Sequence, residues 1–191
     1  MLSAPSRHQR AREQILAACW SLARLKGLTG FSLKDVAAAV GVTAPSLYSY
    51  FRSKHAIYDE MFADGNRQFL AAMRAVHVDG TPREALRSAA TAFLDFCVSD
   101  PVRHQLLFQR TVPGFEPSAP AYAVAQEVVA VQREEFAKFG ITDPAHLDIW
   151  TALVSGLAAQ QLSNDPGGSR WTALVGPAVQ MYADHVLRES R

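Results

Sequence analysis

Cysteine is scarce in this chain of 191 residues, with Cys19 and Cys97 the only two. They lie far apart, each inside an apolar helical pattern. Neither a disulfide framework nor a zinc cluster is indicated, and two buried thiols in a reducing cytoplasm are expected. Long hydrophobic runs are missing as well. Apolar residues make up 49% of the chain, enough for a sizeable core, yet no run of eighteen or more exists to span a membrane. Met1 to Arg12 are polar and basic with no apolar h-region, so no signal peptide is expected. Strand signals are nearly absent, since apolar and polar residues nowhere alternate over six positions between turn residues. Catalytic signatures are also lacking. There is no Gly-x-Ser-x-Gly, no phosphate-cradling glycine loop, no His-Glu-x-x-His and no Cys-x-x-Cys. His8, His55, His77, His104, His146 and His185 include no i, i+4 metal pair. The expectation is a protein that is not an enzyme and uses no cofactor and no metal.

The net charge of +1 says nothing about nucleic acid, but its distribution does. Residues 1–54 carry eight basic side chains against two acidic ones, a balance of +6, whereas residues 55–191 carry 11 basic and 16 acidic ones, a balance of −5. A basic head on an acidic body directs only the head at a polyanion. A solvated basic tail is the other reading of the same charges.

Helix signals recur throughout. Ile15, Leu16, Cys19, Leu22 and Ala23 share one helical face, and Gly27 can end that helix. Ser32 and Asp35 form a short capping-box start for a second helix, which ends by Gly41. Thr43 or Ala44 caps a third, with Pro45 in its first turn, where a missing N–H costs nothing. Ser53 caps a fourth that runs to about Val76 and is broken by Asp79-Gly80. Thr81-Pro82-Arg83-Glu84 is a strong start for a fifth, to about Ser99. A short helix follows Asp100-Pro101, and the three prolines and one glycine between Val112 and Pro120 read as a loop. Helices are then expected at about 121–139, 144–163 and 170–188, the last kinked or split by Gly176-Pro177. The count is nine and the fold class all-α. A head at 1–54 and a body at 55–191 are expected, with the join inside the fourth helix.

The informative stretch runs from Phe31 to Lys54. It holds two short helices around a tight turn. Leu33, Val36, Ala37 and Val40 form the buried face of the first, Gly41 supplies the turn, and Val42, Leu47 and Phe51 anchor the second. Short polar and aromatic side chains are left pointing outward, as suits a helix lying in a major groove. The Ser-Leu-Lys-Asp-Val-Ala pattern, Gly41-Val42, Leu47-Tyr48, Phe51 and Lys54 resemble the tetracycline-repressor (TetR) family of bacterial regulators. The motif covers about the first 60 residues; the rest matches in architecture. The resemblance implies a DNA-binding transcription regulator, a repressor in the family's commoner mode. It implies a nine-helix layout whose long fourth helix joins the head to a ligand-binding and dimerisation body. By position, Thr43, Ala44, Pro45, Ser46, Ser49 and Tyr50 would lie on the DNA face. Tyr48 and Lys54 would contact phosphates, and Ser32 and Lys34 would touch the backbone or an edge base. Ala44 and Ser49 are small where the family often has a long polar residue, so methyl contacts and DNA shape would share the readout. Other readings stand beside these: Tyr48 as partial core, Tyr50 packed against helix one, Lys34 and Lys54 as surface charges. Arg7, Arg10 and Arg12 read either as a basic arm in the minor groove or as a solvated tail.

The resemblance further implies a homodimer through the last two long helices, about 144–163 and 170–188. The first offers Leu147, Trp150, Leu153, Val154, Leu157, Ala158 and Gln161, and the second Trp171, Leu174, Val175, Ala178, Met181, Tyr182 and His185. This is more apolar surface than one monomer easily covers and favours an isologous seam, with monomer core as the other reading. A pocket for a small, mostly hydrophobic effector is expected among helices four to eight. Its candidates are Phe69, Met73, Phe93, Cys97, Leu107, Phe108, Tyr122, Gln126 and Trp150, each of which also reads as ordinary core. His104 and Arg110 are candidates to pair with an acidic ligand group, or surface residues. The partners expected are double-stranded DNA, the effector and a second copy of the chain, with no membrane. A constitutive DNA-binding or architectural protein without a ligand is the alternative.

Overall fold

The computed structural model describes residues 6–76 and 80–189. The described residues are helical throughout with no strand: α1 (Arg7–Lys26), α2 (Leu33–Val40), α3 (Ala44–Tyr48), α4 (Lys54–Arg74), α5 (Pro82–Ser99), α6 (Pro101–Phe108), α7 (Ala119–Ala137), α8 (Pro144–Asn164) and α9 (Val175–Glu189). The starts follow from local chemistry. The Ser32 and Thr81 hydroxyls each accept from a backbone N–H three residues on, and Asp35 and Glu84 reach back to the cap residues' own N–H groups. Thr43 caps α3, with Pro45 in its first turn. The Asp79 half of the expected break after α4, like His77, lies outside the described residues.

The last helix departs from its expected form. The chain first makes a 3-10 turn at Thr172–Leu174, and α9 begins at Val175. Gly176 and Pro177 therefore fall in the first turn of α9 rather than in its interior. There the missing N–H of Pro177 leaves no helical hydrogen bond unmade, so the proline starts a helix instead of kinking one.

The chain divides into two compact units. The first comprises Met1–Gly65 and Gln105–Ala123. Its core is Ile15, Cys19, Trp20 and Ala23 of α1, Val36 and Ala37 of α2, Leu47 of α3, and Ile57, Tyr58 and Met61 of α4. Polar ties cross this core. The Tyr58 hydroxyl donates to the Leu28 carbonyl at 2.5 Å, and the Trp20 indole N–H donates to Asp64 at 2.9 Å. Asp59 accepts from the Ser118 backbone N–H and hydroxyl at 2.7 and 2.6 Å, and Phe115 packs on the rings of Tyr58 and Phe62.

The second unit comprises Asn66–His104 and Val124–Arg191, and in it α5 packs on both α8 and α9. Ala90, Ala158 and Ala183, one from each of these helices, are fully buried, and such small side chains let helix backbones approach closely. Around them lie Leu86, Leu94, Cys97, Val154, Val179 and Val186. The buried Gln161 carboxamide organises the turn after α8. Its Nε2 donates to the Asp165 carbonyl, and its Oε1 accepts from the backbone N–H groups of Trp171 and Thr172 at 2.9 and 3.2 Å.

Candidate nucleic-acid interface

Gly41 makes the turn between α2 and α3. It sits at φ 71°, ψ 30°, the left-handed region that a side chain resists, and its N–H closes the end of α2 on the carbonyls of Ala37 and Ala38. Leu47 and Phe51 are buried beneath α3, as the pattern predicts. Val42 is not the third anchor. It is 38% exposed, because the residue after the left-handed glycine leaves α2 before the chain turns back to the core.

The outward face of α3 is open. Pro45, Ser46 and Ser49 are exposed, Ala44 is half-buried, and Tyr48 is 51% exposed on the same short helix. Thr43 is exposed at the N-cap, and its Oγ1 lies 2.9 Å from the Ser46 hydroxyl. The Ser49 hydroxyl donates to the Ser46 carbonyl at 2.7 Å. Much of the hydroxyl capacity of this face is thus satisfied within the helix, and what it offers outward is methyl and methylene surface with one phenol.

On α2, Lys34 is exposed. The Ser32 hydroxyl donates to Asp35 at 2.7 Å, so in this geometry its proton is directed at that carboxylate. The Ser32 contacts and the Lys26 ammonium, 2.9 Å away, hold the Asp35 carboxyl well below the usual carboxylate range. Lys54 begins α4. Its ammonium donates to the Thr29 carbonyl at 2.9 Å and lies 4.7 Å from the centre of the Phe31 ring. Burial against these groups lowers its pKa, partly offset by the charge of Asp35. An ammonium has three N–H donors and the Thr29 bond uses one of them, while the Tyr58 ring centre also lies 5.5 Å from the nitrogen.

Tyr50 takes the packing alternative. It lies past the end of α3, and its ring stacks on His8 of α1 with centroids 4.8 Å apart. Arg12, read from sequence as part of a tail or arm, is instead built into the head. It donates to the Tyr50 carbonyl at 3.0 Å and to Glu60 of α4 at 2.5 Å, and its guanidinium lies 4.6 Å over the Phe51 ring. A signal for this was present: Arg12 stands three positions before Ile15 and seven before Cys19, on the apolar face of α1.

In the second unit, Phe69 of α4 lies with its ring 5.7 Å from Phe93 and 4.9 Å from Phe96 of α5. Cys97 is buried beside this cluster on α5, its thiol pushed up to about 12 by burial, and Met73 is half-buried. Trp150 is packed between Phe136 and Tyr182, at 5.2 Å from each. Gln126 is exposed. Of the candidates in the first unit, Leu107 meets the backbone of Gly65, while Phe108 and Tyr122 are exposed. The structure thus brings Phe69, Phe93 and Cys97 together and leaves Trp150 in a separate cluster. His104 is buried, and burial lowers its pKa. An open cleft of about 610 Å³ lies elsewhere in this unit, lined by Arg87, Thr91 and Asp95 of α5 together with Thr172 and Val175.

Of the residues expected at a dimer seam, Trp150, Val154, Ala158, Gln161, Val175 and Tyr182 are buried within the chain itself. Leu174 is 41% and Met181 75% exposed, and Ile149, absent from the expected set, is 47% exposed. No described helix is long and apolar enough to cross a membrane. Among the described residues no group of three or more His, Cys, Asp or Glu side chains is placed to hold a metal ion.

Comparison with known proteins agrees with this geometry. Residues 15–61 match the model of the family described as bacterial regulatory proteins, tetR family. Over 113 residues the chain is 31% identical to a protein named as the mycofactocin biosynthesis transcriptional regulator MftR of Mycobacterium tuberculosis, covering 59% of this chain and 55% of that relative. The match thus spans about half the length of the curated relative. A tetR-family transcriptional regulator from Streptomyces coelicolor has a TM-score of 0.73 at 19% identity, over 95% of this chain and 82% of that one. The regulator FadR of Bacillus subtilis, solved with stearoyl-CoA, has a TM-score of 0.65 at 16% identity, over 89% of this chain and 96% of that one. These likenesses extend the shared fold well beyond the head. Residues 15–61 thus carry a tetR-family helix-turn-helix DNA-binding domain, and the rest of the chain shares the fold of solved tetR-family regulators.

Proposed function

We propose that two copies of this chain bind a near-palindromic operator as a repressor, and that a small, mostly hydrophobic effector releases them. One observation carries the reading: α3 turns an open, uncharged face outward while Leu47 and Phe51 hold it from beneath, inside the segment matched by the family model. Thr43, Ala44, Pro45, Ser46 and Ser49 would face base edges, largely through methyl contacts and shape. Tyr48 and Lys54 would meet phosphates, Lys34 would add charge, and Tyr50 would serve chiefly as packing. Two recognition helices one turn of DNA apart, about 34–36 Å, would read the two half-sites.

Dimerisation would use α8, α9 and the 3-10 turn before α9, where Ile149, Met181 and Leu174 leave apolar surface exposed. The effector would enter the body near Phe69, Phe93 and Cys97 and bias α4, whose residues Lys54–Arg74 belong partly to each unit. A hundredfold change in operator affinity needs about 2.7 kcal/mol of coupling. The bacterial cytoplasm is the setting in which such a regulator would act.

The constitutive DNA-binding alternative also has support, in the close packing of Phe69, Phe93 and Phe96 against one another. A body already filled by its own rings is what that reading expects. A gel shift on the DNA flanking this gene separates the two, run with and without lipophilic compounds. Long-chain acyl thioesters come first, given the stearoyl-CoA complex of FadR. Release by one of them supports the regulated repressor. Binding that no compound alters supports the alternative, and no binding to any duplex overturns both.

A further inference from the structure

The recognition helix is short and is anchored from within by the single buried side chain of Leu47. It is five residues long, and its N-terminus is fixed by the Thr43 cap. A helix this short is not stable by propagation, so its direction depends on what grips its far end. That end passes into the turn at Ser49–Phe51, where the Tyr50 and Phe51 N–H groups both donate to the Leu47 carbonyl, at 2.9 and 3.0 Å. One side chain from α1 then grips the turn. The Arg12 guanidinium takes the Tyr50 carbonyl with Nη1, the Glu60 carboxylate of α4 with Nη2, and the Phe51 ring with its face. His8, one turn earlier on α1, holds the Tyr50 ring. A planar guanidinium offers separate nitrogens to the two oxygens and its face to the ring, whereas an ammonium has a single nitrogen to serve all three. Recognition requires the reading side chains to be held within about 0.5 Å and 10–20° of their working geometry.

We propose that Arg12 is a positioning residue for DNA recognition: it locks the end of α3 to α1 and α4, and so sets operator affinity without itself contacting DNA. The inference rests on the DNA-binding reading above. The test uses the full chain and the duplex that the wild-type protein enriches from a random pool. Binding is measured across a salt series for wild type, Arg12→Met, Arg12→Lys and Glu60→Gln, with circular dichroism and hydrogen exchange of the head on each.

Arg12→Met is expected to weaken binding about tenfold or more, with the slope of log K against log salt unchanged. Arg12→Lys is expected to recover little, because it restores the charge and not the fork. Glu60→Gln removes a negative charge from the head, which by electrostatics alone would tighten binding; positioning expects it to weaken. Equal binding by wild type and both Arg12 variants overturns the inference alone. So does a loss that Arg12→Lys rescues together with a salt slope shallower by about 0.9 in Arg12→Met, the mark of a direct phosphate contact. If Arg12→Met leaves the head unfolded, Arg12→Lys and Glu60→Gln decide: normal affinity in both overturns the proposal. A wild-type chain that enriches no duplex overturns the DNA-binding reading itself, and this inference with it.

Discussion

The two units are held together by different chemistry. In the first, α1, α4 and the loops flanking the short helices α2 and α3 are tied by directed polar contacts: Tyr58 to Leu28, Trp20 to Asp64, Lys54 to Thr29, Arg12 to Tyr50 and Glu60. In the second, long helices close on one another through buried alanines, with aromatic and aliphatic side chains around them. Short helices gain little from propagation, so the angle at which α2 and α3 are presented depends on the frame of α1, α4 and loops that these bonds fix. Long helices bury enough apolar surface to fix themselves, and many apolar substitutions preserve such a core. A head built to present one surface and a body free to diverge follow from that contrast.

The contrast can be broken in order of expected size. Phe93→Ala empties the aromatic cluster on α5 and should cost about 3–5 kcal/mol, read from denaturant unfolding. A cost under 1 kcal/mol would mean that the body is not held by that packing. Gln161→Leu keeps the bulk but strands the N–H groups of Trp171 and Thr172 and should cost about 1–3 kcal/mol. Because this is the body's own polar clamp, a larger loss than at Phe93 would reverse the comparison.

Tyr58→Phe removes only the hydroxyl that meets the Leu28 carbonyl, and should cost about 1 kcal/mol with faster hydrogen exchange confined to the first unit. Exchange that rises equally in both units would show that the head's ties are not local. The smallest effect concerns His104. Burial lowers its pKa in the folded chain below the ordinary 6.5, so the unfolded chain binds the proton first. Stability should therefore fall as pH drops below about 6.5 towards the folded value. His104→Gln should flatten the melting temperature between pH 7 and pH 5; an unchanged slope assigns it to other groups.

What could be read from the sequence follows the same division. Several helix starts that depend on a side chain within three residues were legible, because capping is local: Ser32 with Asp35, Thr43, and Thr81 with Glu84. The start of α1 was missed, although Ser6 and Gln9 form a capping box there. The buried face of α1 and the anchors Leu47 and Phe51 were legible from period alone. Val42 and Pro177 were misplaced by a fraction of a turn, the margin within which a helix end decides whether a residue is inside or out. Arg12 was misjudged for another reason, and the packing of Tyr50 on α1 was foreseen only as one of two readings. Their partners stand 38 or more positions away, and a charge beside a chain start looks the same whether it is solvated or clamped. In the body, the pattern marked α8 and α9 as apolar but did not divide core from surface. Only the packing of Trp150 between Phe136 and Tyr182 shows that Trp150 and Tyr182 turn inward while Ile149 and Met181 turn outward.

The two cysteines have a practical corollary. Cys19 and Cys97 are both buried, and burial pushes each thiol up to about 12, far above neutral pH. Reagents that seek a thiolate should pass both by. A single cysteine placed on the exposed side of α2, as in Ala39→Cys, would then take a spin label or a fluorophore alone. The natural chain thus serves as its own silent background, and the separation of two heads on DNA can be measured as a ruler length without first stripping out a native residue.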